Sequence, residues 1–161
     1  MLEIKSVRMK IPDDANIIVG QSHFIKTVED LYEAVATTAP QARFGLAFNE
    51  SSGACLTRCD GNDPALQEAA MKNALALACG HTFVLLLSAA YPIQVLPAIR
   101  NLPEVCSIFC ATANAVEFIV ACTEQGAGVL GVVDGAAPQG VEGAEEKAWR
   151  HNLLRQIGYK R

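Results

Sequence analysis

GQSHFIKTVEDLY, residues 20–32, is the stretch that decides how this chain folds. The apolar run Ile17–Gly20 leads into it and predicts a buried strand, whereas Val28, Leu31 and Val35 recur at helical spacing from its second half onward. The stretch therefore carries the chain from a strand into a helix. Because α/β proteins place ligand-binding groups at such crossings, its polar and basic side chains are the first candidates for a functional site.

Cap and stop residues predict four helices. Thr27 offers a hydroxyl N-cap for the first helix, and Pro40 ends it. Asp63, followed directly by proline, is the start signal of the second helix, which runs to a glycine stop at Gly80. Weaker helical patterns predict two further helices, Pro92–Asn101, interrupted at Pro97, and Glu142–Gln156.

Apolar runs predict eight strands. The third and fourth are joined by the short polar loop Glu50–Gly53, which predicts a hairpin and a sheet that is not purely parallel. No repeat or linker divides the chain, so we expect one compact mixed α/β (α+β) domain over residues 1–161, with helices packed on a mixed sheet. The predicted strands are Leu2–Met9, Ile17–Gly20, Arg43–Asn49, Ala54–Arg58, Thr82–Ser88, Val105–Ala111, Val116–Thr123 and Gly128–Val133.

The charge balance argues against two classes of partner. The 161 residues carry a net charge of −4 without a Lys/Arg cluster, whereas nucleic-acid binding rests on clustered cations that neutralise phosphates. The longest apolar run is far shorter than the roughly 20 residues of a membrane span, and the N-terminus lacks an apolar signal segment. We expect a soluble, cytoplasmic protein that binds neither nucleic acid nor membrane.

Six cysteines are present, and no two have the C-x-x-C spacing of a redox or zinc motif. Cys55 and Cys59 lie four residues apart in a strand-like run, as do Cys106 and Cys110, so each pair is predicted to share a sheet face. Buried, inert thiols are the first interpretation, because free cysteine behaves as a small apolar residue. A metal site or a disulfide is the alternative.

Known phosphate-binding motifs are absent or out of context. GAGVLG, residues 126–131, has the spelling of a dinucleotide-binding loop, but Val129–Val133 is strand-like where that loop needs a helix start. A tight glycine hairpin is one interpretation, and a loop whose amides line a pocket, with Glu124 and Gln125 beside it, is the other. No Walker A or protein-kinase motif occurs, so we expect neither a Rossmann nor a P-loop fold.

Several polar side chains stand at the ends of predicted elements. His23 and His81 each fit either a ligand-facing ring or one with a purely structural role. Lys26 lies near a helix N-terminus, where a cation is unfavourable unless an anion is close, and this predicts a bound phosphate. Asp134 and Glu142 fit either a base or ribose-binding carboxylate, or a turn residue and a first-turn helix acid.

Long segments of the chain resemble the small prokaryotic family named adenosine-specific kinase. The resemblance covers essentially the whole chain and implies a compact α/β protein, a homotrimer, that binds adenosine or AMP and transfers phosphate to the nucleoside. Mg²⁺ accompanying ATP is the only cofactor it implies. The segments that carry it are GQSHFIKTVEDLYE (20–33), CATAN (110–114), TEQG (123–126), GVLGVVDG (128–135), GVE (140–142) and IGYK (157–160).

The resemblance also implies a site, segment by segment. The catalytic candidates are His23, Lys26 and Asp134, with Lys26 holding a phosphate and Asp134 accepting the proton of the nucleoside hydroxyl. None of the residues is expected to ligate a metal directly. The substrate-binding candidates are Gln21, Ser22, Asn114, Glu124, Gln125, Gly126, Gly128 and Glu142.

Two positions depart from the family pattern. Ala127 stands where the family has an arginine between two glycines, and Ala115 replaces a proline, which bears on loop stiffness. Loss of a phosphate-binding arginine favours an alternative function, a non-catalytic module that binds or senses an adenine nucleotide. A partner protein with a vestigial pocket is a third interpretation.

Overall fold

The computed structural model describes residues 1–161 as eight strands and four helices. Every element predicted from the sequence is present, with ends shifted by a few residues. The strands are β1 Glu3–Arg8, β2 Asn16–Ser22, β3 Arg43–Asn49, β4 Thr57–Gly61, β5 Thr82–Ser88, β6 Val105–Thr112, β7 Val116–Cys122 and β8 Ala127–Asp134. The helices are α1 Thr27–Thr38, α2 Pro64–Leu77, α3 Pro92–Arg100 and α4 Ala144–Gln156.

The strands form two sheets. One has five strands in the order β4-β3-β5-β2-β6, and the other has three in the order β1-β7-β8. The mixed α/β class is confirmed, and so is the β3–β4 hairpin. Where the sequence analysis expects one mixed sheet, all pairs of named strands are antiparallel, and the one parallel contact is an isolated bridge between Cys79 and Ala127.

β5 lies at the centre of the five-stranded sheet and is buried along its whole length. Its side chains enter two cores, because successive residues of a strand point to opposite faces. Phe83, Leu85 and Leu87 pack with residues of α1 and α3, whereas Val84 and Leu86 pack with α2 and the three-stranded sheet. Burial on both faces gives β5 the unbroken apolar run that is more typical of a parallel strand.

α1 begins at Thr27, but Thr27 is not its cap. Lys26 occupies the N-cap position and no side chain caps the helix. The Thr27 hydroxyl donates instead to the Phe24 carbonyl oxygen at 2.6 Å, inside the turn that precedes the helix. The predicted cap is therefore wrong because the buried hydroxyl stabilises the entering turn.

α2 begins as its sequence predicts. Asp63 is the N-cap, and its Oδ1 accepts a hydrogen bond from the Leu66 backbone N–H at 3.0 Å. The helix ends at Leu77, and Ala78 closes it in the left-handed region at φ 53°. The predicted stop at Gly80 is thus three residues late. α3, in contrast, continues through Pro97 to Arg100.

Removal of the Asp63 cap is expected to destabilise the fold. Asp63→Ala leaves the Leu66 N–H without its acceptor, and we expect a loss of about 1 kcal/mol in the free energy of unfolding, measured in urea. Arg43 Nη1 lies 3.6 Å from Asp63 Oδ2, so Arg43→Gln is the matched control. It removes the exposed ion pair and keeps the cap, with an expected change within about 0.5 kcal/mol. Equal losses in both variants would contradict the capping role.

The cysteines only partly match the prediction of buried thiols. Cys79 and Cys110 are buried and burial raises the pKa of both thiols to about 11, but Cys55, Cys59 and Cys106 are exposed. The β3–β4 loop extends further than predicted, so Cys55 lies in the loop before β4. Two register shifts between β2 and β6 put Cys106 and Cys110 in different environments. All six thiols are free.

α4 has no buried residue. Large apolar side chains on and around it are exposed, among them Val141, Trp149 and Ile157. An isolated helix of this length is marginal in water, so the C-terminal segment has an unpartnered apolar surface. None of the four helices is both long and apolar enough to cross a membrane.

Candidate functional site

The loops of the five-stranded sheet collect at its two opposite ends. At one, named here the Ser22 end, β2 ends at Ser22, β3 ends at Asn49 and β5 begins at Thr82. At the other, named the Asn16 end, β2 begins at Asn16 and β5 ends at Ser88. The end that a residue occupies decides which of the predicted site residues can meet within one chain.

Ser22 joins three segments at the end of β2. Its backbone N–H donates to the His81 carbonyl at 2.9 Å, and its hydroxyl donates to the Glu104 carbonyl at 3.0 Å and contacts the Thr27 hydroxyl. The neighbouring Gln21 is exposed. Ser22 is fully buried, so its hydroxyl is used inside the protein, and it fixes where the following residues emerge.

Lys26 is the cation of the strand-to-helix crossing. Its ammonium pairs with Asp30, one helical turn later, and lies 3.5 Å from Glu104 Oε2. Glu104 comes from the loop between α3 and β6 and is only 1% exposed, whereas Asp30 is half-buried. The two carboxyl groups offset the unfavourable position of a cation at the start of α1. The conflict that predicts a phosphate from sequence is thus answered within the ligand-free chain.

The two carboxyl groups differ in proton affinity. Hydrogen bonding to Lys26 lowers the pKa of Asp30. Burial raises the pKa of Glu104, and its neighbour Asp30 raises it further. The Lys26 pKa is raised, chiefly by its hydrogen bond to Asp30. Asp30 therefore stays ionised with Lys26, and Glu104 takes up a proton first as the pH falls.

Two histidines lie at the Ser22 end. His23 is exposed, and its backbone N–H donates to the Glu104 carbonyl at 3.0 Å. His81 bridges β2 and β3, since its N–H donates to the Asn49 carbonyl at 2.7 Å and its carbonyl receives the Ser22 N–H. Its ring stacks on Phe48 with centroids 5.8 Å apart. His81 is thus held between β2 and β3 by its backbone and by Phe48, whereas His23 is the more exposed of the two imidazoles.

Two cavities open at the Ser22 end and share Thr57. The first, of about 340 Å³, lies between the β3–β4 loop, the end of α2 and Gln125. The second, of about 400 Å³, lies between the first turn of α1 and β4, with Ile25, Glu29 and Arg58 in its wall. Both volumes fall within the roughly 300–1,000 Å³ of small-molecule pockets. Their lining residues together extend from Gln125 to Ile25, just before α1.

Arg58 is the second cation at this end. Its Nη2 donates to both carboxylate oxygens of Glu50, at 3.3 and 3.0 Å. The Leu56 backbone N–H and this arginine together lower the pKa of Glu50. The Arg58 Nε is buried and has no hydrogen-bond partner. The guanidinium is therefore held through Nη2, and its buried Nε–H is left without an acceptor.

Strained backbone borders the first cavity. Cys55, Ala78 and His81 have φ angles of 50°, 53° and 61°. Residues other than glycine seldom adopt this region, and such strain concentrates at functional sites. Cys55 and Ala78 line the cavity, and His81 follows Gly80 of its wall. Two other residues in this region of backbone conformation, Asp14 at φ 60° and Ala89 at φ 58°, lie at the Asn16 end, so strained backbone occurs at both ends of the sheet.

The turn between β7 and β8 holds four predicted substrate-binding residues, which are Glu124, Gln125, Gly126 and Gly128. Thr123 closes the turn, since its N–H donates to the Gly126 carbonyl at 2.8 Å. A Cβ at either glycine would meet nothing within 4 Å, so neither is needed for close packing. Gly128 lies in β8 and no helix follows, which confirms that this is not a dinucleotide-binding loop. Only Gln125 lines a cavity.

Asn114 and Asp134 meet, but at the Asn16 end. Asn114 Nδ2 donates to Asp134 Oδ1 at 3.1 Å, and Gly135 at φ 67° lies against that amide. Asp134 is seven residues beyond Ala127 on β8, a separation of about 23 Å at roughly 3.3 Å per residue. Ala127 contacts Cys79 beside the first cavity. Within one chain, Asp134 and Lys26 therefore stand far apart.

The largest cavity, of about 570 Å³, also lies at the Asn16 end. Asn114 and Tyr91 line it together with two adjacent carboxylates, Asp13 and Asp14. No lysine or arginine is in its wall. The uncompensated negative charge makes this cavity a poor seat for a phosphate. Glu142 joins neither group, since it forms an exposed ion pair with Arg150.

Sequence reasoning missed Glu104 and Arg58. Glu104 follows Pro103 in a predicted loop, and nothing in its spacing connects it with Lys26, 78 residues earlier, 104 − 26. Its one sequence signal is an acid set between Leu102 and Val105, directly before a buried strand. Arg58 stood at the end of a predicted strand, without a motif. Their roles become visible only in the folded chain, where Glu104 faces Lys26 and Arg58 lines the second cavity.

The fold and the Ser22 end define a class: a mixed α/β protein with two cations and paired cavities at the ends of antiparallel strands. The family described as "Adenosine specific kinase" matches residues 7–160, and the chain belongs to that family. It is also similar to the crystal structure of the PH1918 protein from Pyrococcus horikoshii OT3. The two are 44% identical with a TM-score of 0.96, over 100% of this chain and 99% of that chain. No curated protein matches.

Proposed function

We propose that this protein binds adenosine or AMP at the Ser22 end and transfers a phosphate to adenosine. The observation that carries the proposal is the pair of adjacent cavities at this end, one with Arg58 in its wall and with Ile25, the neighbour of Lys26 in sequence, at its rim, in a chain of the adenosine-specific kinase family. Polar groups at the ends of strands and a cation near a helix start suit a phosphorylated nucleoside. The cytoplasm, where nucleotides are available, is the compartment we propose.

The nucleoside is proposed to occupy the first cavity and its phosphate to approach the start of α1. Thr57 and Gln125 supply a hydroxyl and an amide group to the first cavity, which suits a base and a ribose, whereas the Asn49 amide of its wall is already hydrogen-bonded to other residues of the protein. Lys26 at the start of α1, once it turns from Asp30 and Glu104, is the donor proposed for the phosphate. The cavity at the Asn16 end has no lysine or arginine in its wall, which is why we place the ligand at the Ser22 end.

Phosphate transfer needs a proton acceptor and charge neutralisation. His23 is the exposed imidazole beside Lys26 in sequence, and histidine is the commonest general base, so we propose His23 for this role. Asp134 of the same chain stands too far from Lys26 for it. Mg²⁺ binds through substrate phosphates and few carboxylates; we propose that it enters with ATP and that Glu29 and Asp60, which line the second cavity, are the available carboxylates.

A non-catalytic adenine-nucleotide-binding module is the second candidate. The observation that favours it is Ala127, which contacts Cys79 beside the first cavity. An alanine at this position supplies no guanidinium to a transferring phosphate, and stabilisation of developing charge is the main contribution of proteins to phosphoryl transfer. Under this alternative the same residues bind the nucleotide and no product forms.

Calorimetric titration followed by a product assay tests the proposal. Adenosine, AMP and ATP are titrated with and without Mg²⁺, and ADP formation is then measured for adenosine with ATP. Binding with ADP formation, lost in His23→Gln while AMP still binds, supports phosphate transfer. AMP binding without turnover supports the binding module, and the absence of all binding contradicts both.

We also propose that the chain assembles as a homotrimer. Support comes from α4, which has no buried residue, and from exposed apolar side chains on the three-stranded sheet, Ile4 and Leu130, and just before it, Leu2. Apolar patches of this kind mark interaction surfaces. A second and a third copy of the chain are the partners that would cover them.

Trp149→Glu is expected to dissociate the assembly. Trp149 is 63% exposed in the single chain, and a carboxylate in its place opposes burial at an interface. Light scattering after size exclusion is expected to give three times the 17.2 kDa chain mass for the wild type and one chain for the variant. Tyr91→Glu is the control, since Tyr91 is also 63% exposed but lies at the start of α3. A monomeric or dimeric wild type would contradict the proposal.

A further inference from the structure

The carboxyl group of Glu104 is the one buried charge-bearing group without a hydrogen bond. Neither of its oxygens has a hydrogen-bond partner, and both are inaccessible. The bonds that tie this residue to Ser22, His23 and Cys106 all reach its backbone carbonyl. The ionisation of the Glu104 carboxyl group therefore depends on the charged groups that lie next to it.

The titratable groups that face this carboxyl are Lys26 and Asp30, both from the start of α1. Lys26 Nζ lies 3.5 Å from Glu104 Oε2 and is paired more closely with Asp30. A carboxylate buried without a partner is costly, because water no longer stabilises its charge. A single ammonium, that of Lys26, therefore faces two carboxyl groups, which leaves one negative charge when both are ionised.

Lys26 is also the group that a phosphate would engage. Its side chain is 47% exposed, whereas that of Glu104 is 2% exposed, so an anion reaches the ammonium from the solvent side. An ammonium is a mobile point charge on a flexible stem. It can turn from the carboxyl pair toward an incoming phosphate.

We propose that Glu104 is a positioning residue that acts through Lys26, and that phosphate capture by Lys26 is coupled to uptake of one proton by the Glu104–Asp30 pair. Before binding, one ammonium faces two carboxylates. After Lys26 turns to the phosphate, the two carboxyl groups share a proton taken from solvent, so the pair keeps the net charge of one negative that it has with Lys26 in place and does not carry two. This inference rests on the proposed function for its ligand, but the Lys26–Glu104 contact on which it depends is present in the ligand-free chain.

The first test needs no ligand. The pKa of the Glu104 carboxyl is measured by carbon-13 NMR in the wild type and in Lys26→Met, with Glu104→Gln used to assign the signal. The proposal expects a Glu104 pKa above the ordinary glutamate value in the wild type and a further rise in Lys26→Met. An unchanged pKa on removal of Lys26 would overturn the coupling, whether or not the protein binds nucleotides.

The second test counts protons on AMP binding. Calorimetry in buffers of different ionisation enthalpy, repeated from pH 5 to 9, gives the protons taken up by the wild type and by Glu104→Gln. The phosphate of AMP itself titrates near pH 6, and its contribution is common to both proteins. We expect the wild type to take up more protons per bound AMP than Glu104→Gln does, with a difference that reaches up to about one proton within this pH range. For adenosine we expect no difference between the two proteins.

The two tests separate this inference from the proposed function. Equal proton counts for the two proteins at every pH, with AMP bound to both, would overturn the proton coupling and leave nucleotide binding intact. No AMP binding by the wild type would contradict the proposed function, and the ligand-free pKa comparison would then still decide the coupling. A purely structural Glu104 predicts lower stability of Glu104→Gln with unchanged proton counts.

Discussion

Lys26→Met is expected to weaken AMP binding by about 10- to 100-fold and to leave adenosine binding within about twofold. The variant keeps the aliphatic stem and removes the ammonium that we propose for the phosphate. Hydrogen bonds to charged groups contribute about 1.5–3 kcal/mol, and every 1.4 kcal/mol corresponds to about tenfold in affinity. Adenosine has no phosphate, so its affinity reports only the nucleoside part of the site. Titration calorimetry measures both ligands on the same protein.

Lys72→Met is the matched control for this substitution. Lys72 lies on α2 and pairs with Glu68 at helical spacing, as Lys26 does with Asp30, but it is remote from the Ser22 end. We expect the control to bind AMP like the wild type. Equal weakening of AMP and adenosine in Lys26→Met would instead indicate that Lys26 acts on the fold of the site, and it would remove Lys26 as a phosphate ligand.

Gly45→Ala is expected to lower the free energy of unfolding by about 3 kcal/mol or more. A Cβ at this position of β3 would lie 2.1 Å from the Gln67 backbone nitrogen and 2.2 Å from the Leu66 carbonyl carbon. These are backbone atoms of α2, so the helix must move away from the sheet. Thermal unfolding should shift down by about 6–12 °C, at about 2–4 °C per kcal/mol for a chain of this size.

Gly128→Ala is the control for the effect of a methyl group in a strand. Gly128 lies in β8, and a Cβ there meets nothing within 4 Å. We expect a change within about 0.5 kcal/mol, as for other surface substitutions. Similar losses in the two variants would show that backbone entropy, and not the contact with α2, sets the value for Gly45.

Elements whose determinants are local could be predicted from the sequence. β5 follows from one apolar run, and the start of α2 follows from Asp63 and the proline after it, because a cap needs only its own turn. The crossing at Ser22–Thr27 was also located correctly. The N-cap of α1 was not predicted correctly, because the Thr27 hydroxyl bonds to the turn before the helix.

Features set by distant parts of the chain could not be predicted. The division into two antiparallel sheets depends on which strands pair. An apolar run such as β5 predicts a buried strand but does not indicate which strands it will pair with. The predicted site residues divide between opposite strand ends, with Lys26 at one and Asp134 at the other. Glu104 becomes notable only through a contact across the fold. The family resemblance assigns both segments to one site. The strand topology shows that within one chain they lie at opposite ends of the sheet.

The most direct test of the central claim is a crystal structure of this protein with AMP. We expect the nucleoside in the first cavity, against Thr57 and Gln125, and the phosphate within hydrogen-bond distance of Lys26 Nζ, with the ammonium turned away from Glu104. AMP bound in the cavity at the Asn16 end, with its phosphate near Asn114 and away from Lys26, would contradict the claim.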